Sequence, residues 1–112
     1  MKLAMLLAAT ALAAQARIPD YEAARYADAI YRAEGGVRAK APYGILSVRV
    51  SGPDEARRVC IRTIQNTHDR WVAAGKPGYY VHFLADRYCP PSVDPVGNRN
   101  WKANVVAFLS RK

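Results

Sequence analysis

Tyr31-Arg32-Ala33-Glu34-Gly35-Gly36 (YRAEGG, residues 31–36) closes an alanine-rich run with a carboxylate and two glycines. Upstream, Pro19-Asp20 opens a helical window, because proline is tolerated in a first turn and Asp20 and Glu22 suit the positive end of the helix dipole. Within that window Ala23, Ala27, Ile30, Tyr31 and Glu34 fall at i, i+4, i+7, i+8 and i+11, which is one face of an α-helix. The glutamate therefore lies on the apolar stripe. Gly35-Gly36 ends the helix, since glycine readily takes the left-handed cap conformation.

The rest of the chain repeats this helical grammar. Lys40-Ala41-Pro42-Tyr43-Gly44 reads as a turn, and Leu46, Val48 and Val50 alternate with Ser47 and Arg49 as a short extended segment. Ser51-Gly52-Pro53-Asp54-Glu55 starts a second helix with Ala56, Cys60, Thr63, Ile64, Thr67 and Trp71 on one side, stopped at Gly75-Lys76-Pro77-Gly78. A third run from Tyr79 to Tyr88 carries Tyr80, Phe83, Leu84 and Tyr88 at helical spacing and ends at Cys89-Pro90-Pro91. Ser92 to Arg99 reads as a loop, and Asn100 as the cap of a last helix with Trp101, Val105, Phe108 and Leu109 on its apolar face. The expectation is a small, single-domain, mostly α fold with a short extended segment after the first helix.

Residues 1–16, MKLAMLLAATALAAQA, carry one charge at Lys2, a short apolar run and the small-x-small pattern Ala14-Gln15-Ala16. That is the arrangement of a secretory signal peptide, so cleavage is expected after Ala16, with export to the periplasm or beyond and no lasting membrane insertion. A retained anchor is the alternative, but Arg17-Ile18-Pro19-Asp20 has no stop-transfer character. The domain is then residues 17–112, 96 of the 112 residues, long enough for one modest core and too short for two. Without Lys2 it holds 16 basic against 9 acidic residues, a balance of +7. In an exported protein that charge points to anionic envelope polymers; the basic residues are scattered, with no basic-aromatic motif for nucleic acid.

Cys60 and Cys89 are the two cysteines. In an oxidising compartment a bridge between them is expected, contributing about 3–4 kcal/mol in the chain-entropy account. A pair of buried thiols is the alternative. Zinc is a weaker reading, with no Cys-x-x-Cys spacing and only His68 and His82 in reserve.

A carboxylate on an apolar face loses hydration, which raises its pKa, and a carboxyl that stays protonated near neutral pH can give its proton to a leaving oxygen. The residues around Glu34 also carry a resemblance. Ala29-Ile30-Tyr31-Arg32-Ala33-Glu34-Gly35-Gly36, followed by Tyr43-Gly44-Ile45-Leu46-Ser47-Val48, resembles the paired signatures of the lysozyme-like superfamily, especially lytic transglycosylases and goose-type lysozymes. A third segment, Phe83 to Pro91 with Asn98-Arg99-Asn100-Trp101, is similar to the late segment of these enzymes and of bacterial glucosaminidases.

The resemblance implies a lysozyme-like helical fold for residues 17–112, acting as a monomer on peptidoglycan glycan strands. It implies Glu34 as general acid/base, Tyr43, Gly44, Ile45 and Ser47 along the cleft, and Tyr88, Asn100 and Trp101 facing the sugar. Ser47 stands where those families usually carry Gln, and the short chain implies a shortened groove. The implied reaction cleaves the bond between N-acetylmuramic acid and N-acetylglucosamine without metal or cofactor, by transglycosylation or by hydrolysis.

A two-carboxylate hydrolase needs a partner roughly 5–9.5 Å away, and Asp54, Asp69, Asp86 and Asp94 are each explained by capping, a solvated helix face or a turn. The single-glutamate scheme that the transglycosylase resemblance implies is therefore favoured. His68 and His82 read as surface or half-buried histidines, and no Gly-x-Ser-x-Gly elbow is present. Trp71 reads as a core anchor, and Trp101 as either an anchor or a sugar-stacking ring. The rival reading of another class is a non-catalytic lysozyme-like module that binds glycan or an envelope partner. A membrane-active cationic protein is the third.

Overall fold

The computed structural model describes residues 17–36, Tyr43 and residues 51–111. The leader expected at 1–16, the turn and extended segment expected over residues 40–50 apart from Tyr43, and with them Gly44, Ile45 and Ser47, lie outside the described residues. Among the described residues there are four helices: α1 (Asp20–Ala33), α2 (Pro53–Ala73), α3 (Tyr80–Tyr88) and α4 (Pro95–Leu109). No strand occurs among the described residues. The small, mostly α single domain expected from the sequence is what forms. No described helix is long and apolar enough to cross a membrane.

Local chemistry sets the helix ends. Pro19 precedes α1 in an extended conformation, and its carbonyl accepts from the amides of Glu22 and Ala23. Asp20 and Glu22 occupy the positive end of the dipole. At the other end Glu34 caps the helix and its amide donates to the Ile30 carbonyl at 2.9 Å. Gly35 and Gly36 then turn the chain with φ of 103° and 60°. Helix α2 begins with Pro53 and ends where Gly75 and Lys76 adopt positive φ.

Helix α4 corrects the sequence reading. It begins at Pro95, five residues before Asn100, and the segment read as a loop supplies its first turn. Asp94 is the cap: its carboxylate accepts from the Gly97 amide at 2.8 Å, with Pro95 at the first helical position. A side-chain carbon at position 97 would run into the Asp94 carboxylate, so the glycine read as a breaker is what leaves room for the cap. Asn100 lies inside the helix.

The helices close a ring in which α1 packs on α2 and α4, and α3 packs on α2 and α4. Each contributes one fully buried aliphatic side chain to the centre: Ile30, Ile64, Leu84 and Val105. Ala23 and Ala27 are fully buried as well, and their small side chains let α1 approach its neighbours closely. Beside this centre Tyr80 donates its hydroxyl to the Ile64 carbonyl at 2.6 Å and stands edge-on to the rings of Tyr26 and His68.

The cysteines also depart from expectation, because both are free thiols. Cys60 is fully buried on α2, and the space it faces is filled by Tyr88, whose hydroxyl lies 3.2 Å from the sulfur. Cys89 follows at the end of α3 and points into a different environment. Burial pushes the Cys60 thiol up to about 11, so it is a neutral core group.

Two outcomes follow from this core. Leu84→Ala is expected to cost about 2–5 kcal/mol in urea unfolding, and a cost below 1 kcal/mol would mean that the ring does not close around it. The unfolding midpoint is expected to be the same with and without a thiol reductant. A drop on reduction would restore the Cys60–Cys89 bridge.

Candidate functional site

The end of α1, the end of α3 and the first turns of α4 surround a groove of about 330 Å³. That volume lies at the lower end of small-ligand sites. Ala33 and Glu34 form one wall, Tyr88 and Cys89 another, and Gly97, Asn100, Trp101 and Asn104 line it from α4. Four residues named by the resemblance, Glu34, Tyr88, Asn100 and Trp101, thus meet in one place.

Glu34 is half-buried at the α1 terminus. Loss of hydration holds its carboxyl above the usual carboxylate range, and the Trp101 indole opposes this in part. The Trp101 Nε1 nevertheless has no acceptor at hydrogen-bond geometry. Its N–H acts on the carboxyl as a nearby dipole rather than as a bonded donor. With only 7 % of the residue exposed, an unpartnered N–H at that position is costly.

The walls are held from behind. Tyr88 stacks on Trp101 with ring centroids 5.4 Å apart and planes 20° from parallel, and its hydroxyl turns inward to Cys60. Tyr88 therefore offers the groove its ring and not its hydroxyl. Asn98 is buried beneath the α3–α4 turn and donates to the Cys89 carbonyl at 2.8 Å and to Asp86 at 3.1 Å. Those bonds fix the start of α4 against the end of α3. Asn100 and Asn104, one turn apart and exposed, are left to present their amides to solvent.

Tyr43 is not part of this arrangement. It is buried, its ring lies 5.0 Å from that of Tyr31, and its hydroxyl is 3.5 Å from an Arg57 nitrogen. The phenol packs between α1 and α2, so its expected place along the cleft is corrected to a place in the core.

The four aspartates considered as a second carboxylate all have other engagements or lie elsewhere. Asp69 pairs with Arg17 at 2.9 Å, Asp86 meets Asn98 and Lys102, Asp94 caps α4, and Asp54 sits in the first turn of α2. Glu34 is the sole carboxylate among the described residues that line the groove. His68 is among the rings of Trp71 and Tyr80, and exposed His82 stands against Tyr79. Neither lines the groove. Cys89 does, but burial, then the charges of Asp94 and Glu34, keep its thiol protonated and unsuited to nucleophilic attack.

The lining residues that the sequence reading missed are Ala33, Cys89 as a wall, Gly97 and Asn104. Recognising Asp94-Pro95 as a helix start would have found the last two, because it places Gly97, Asn100, Trp101 and Asn104 on one side of α4. Comparison with family models, with curated proteins and with solved structures returns no match for this chain.

The Glu34 environment has a consequence for stability. A carboxyl whose pKa is raised by folding contributes stability below its unfolded value, about 4.3, and loses it as pH rises through the folded value. Glu34→Gln, which mimics the protonated form, is therefore expected to melt with the unmodified protein near pH 3.5 and above it at pH 7. A variant less stable at pH 7 would mean that the carboxylate is hydrated and the groove open around it.

Proposed function

We propose that this protein cleaves peptidoglycan by a single-glutamate mechanism on the bond between N-acetylmuramic acid and N-acetylglucosamine. The observation that carries the reading is a half-buried Glu34, with its pKa raised, as the sole carboxylate of a groove whose other polar donors are amides and an unpartnered indole N–H. The leader-like residues 1–16 and the +7 balance of the remainder support an exported protein that meets anionic wall polymer.

In this reading protonated Glu34 donates to the glycosidic oxygen as the bond to C1 of the muramyl residue breaks. The indole N–H of Trp101 then stabilises the carboxylate left behind, an interaction stronger in the transition state than before it. Asn100 and Asn104 hold hydroxyl and acetamido groups, and the Trp101–Tyr88 pair supplies the apolar wall for a sugar face. The Glu34 carboxylate next accepts the proton of the muramyl 6-hydroxyl as that oxygen bonds to C1. The product is a 1,6-anhydro sugar, no water is consumed, and Glu34 ends protonated for another turnover. Burial of the carboxyl suits the first half, since a raised pKa favours the acid form that gives the proton.

A non-catalytic glycan-binding module is the second reading. It is favoured by the Tyr88 hydroxyl, which the Cys60 sulfur occupies and which leaves the groove one polar contact poorer.

Mass spectrometry of peptidoglycan incubated with the purified protein, beside Glu34→Gln, separates the two. Anhydro-muropeptides are expected from the unmodified protein, with a loss of about 10²–10⁴-fold in the variant. Reducing-end products would replace transglycosylation by hydrolysis. Binding with no soluble product from either protein would establish the second reading.

A further inference from the structure

On the same α1–α4 seam as the groove lies a second, smaller cleft of about 160 Å³. Arg25 and Arg32 rise from α1 and Arg111 from the residues after α4, over a floor of Ala29, Phe108 and Leu109. Two of the three guanidinium groups are held in place. Arg25 donates to the Leu109 carbonyl at 3.1 Å, and the Arg111 guanidinium stacks 4.8 Å from the Phe108 ring centroid. The one acid at the rim, Asp28, is engaged by Arg57 at 2.6 Å. The cleft therefore keeps an excess of positive charge, with N–H donors that its own acid does not consume.

Charge and floor together select the ligand. A guanidinium fork suits a planar carboxylate, which it can bind through two parallel hydrogen bonds. The apolar floor suits a small alkyl group attached beside that carboxylate, as at the end of a peptide finishing in alanine, and gives nothing to a bare phosphate. The position adds the connection. Asn104 at the groove and Phe108 at the cleft are one turn apart on α4, about 6 Å along the axis, and Arg32 precedes the groove residues Ala33 and Glu34 directly. We infer that the Arg25–Arg32–Arg111 cleft is a subsite for the terminal carboxylate of a short peptide branching from the glycan strand seated in the groove. The inference rests on the glycan reading of the groove and adds to it the part of the polymer that decides which strands bind.

The test measures co-sedimentation on the Glu34→Gln background, so that the polymer is not consumed. Two materials are used: intact peptidoglycan, and the same glycan with its stem peptides removed enzymatically. Arg32→Ala/Arg111→Ala is compared with Arg58→Ala/Arg62→Ala, which removes the same charge from the exposed side of α2. Arg25, which also ties α1 to the end of α4, is left intact.

The expected result is that the Arg32/Arg111 variant binds intact peptidoglycan roughly tenfold more weakly, binds stripped glycan as its parent does, and is not mimicked by the Arg58/Arg62 variant. N-acetyl-alanyl-alanine is expected to displace the parent protein from intact material, whereas its carboxamide and equimolar inorganic phosphate are not. Unchanged binding to intact material, an equal loss on stripped glycan, an equal loss in the charge-matched control, or displacement by phosphate alone would each overturn the subsite and leave the groove reading standing. Arginine-dependent binding to intact material with none to stripped glycan would keep the subsite and remove the groove reading. Absence of binding to both would overturn both.

Discussion

Four aliphatic side chains, Ile30, Ile64, Leu84 and Val105, one from each helix, must share a single dry centre. A chain this small buries a limited fraction of its surface, so no helix can be stable while its own member of the set faces water. That requirement closes the ring of helix contacts, while the local caps set where each helix ends. With Ile30 seated, α1 can run only one more turn before Glu34, and with Val105 seated, α4 begins two to three turns earlier, at Pro95. The terminus of one helix and the first turns of the other are thereby brought together, and the carboxyl at that terminus loses part of its water.

The core reaches the groove through one chain of contacts. Cys60 meets the Tyr88 hydroxyl, the Tyr88 ring stacks on Trp101, and the Trp101 indole faces Glu34. Burial keeps the Tyr88 hydroxyl protonated, so this chain is a packing scaffold and not a proton path. It aims the indole at the groove from a nearly fully buried position. The domain thus holds an unpartnered N–H and a partly desolvated carboxyl side by side, two unfavourable features in a molecule with little stability to spare. Such groups persist where the surrounding packing over-determines them.

How much of this could be read beforehand depends on the range of the interactions concerned. Helix α1 and its glutamate were legible because the proline, the alanine period and the double glycine are all local signals. The start of α4 was hidden by two residues with opposing meanings: Pro95 and Gly97 usually break helices, yet here one is a first-turn proline and the other makes room for the Asp94 cap. The expected disulfide failed for a different reason. A sequence gives the number of cysteines but not what stands between them, and Tyr88, a neighbour of Cys89 in the chain, is what occupies the face of Cys60. Tyr43 illustrates the same limit, since an aromatic residue after a turn packs with Tyr31 as readily as it lines a cleft.

The strong positive charge of the chain raises a last question about the glutamate, because nearby cations would favour its ionised form and spoil it as an acid. Desolvation nonetheless dominates at Glu34, and the one opposing influence is the indole, not an arginine. The disposition of the arginines accounts for this. Arg57 is turned to Asp28, Arg17 to Asp69, and Arg25, Arg32 and Arg111 gather around the other cleft of the seam. Charge at the surface is also screened over about 8 Å at physiological ionic strength, whereas loss of hydration acts on the carboxyl directly. The division leaves loss of hydration, and not a neighbouring cation, to set the direction of the Glu34 shift.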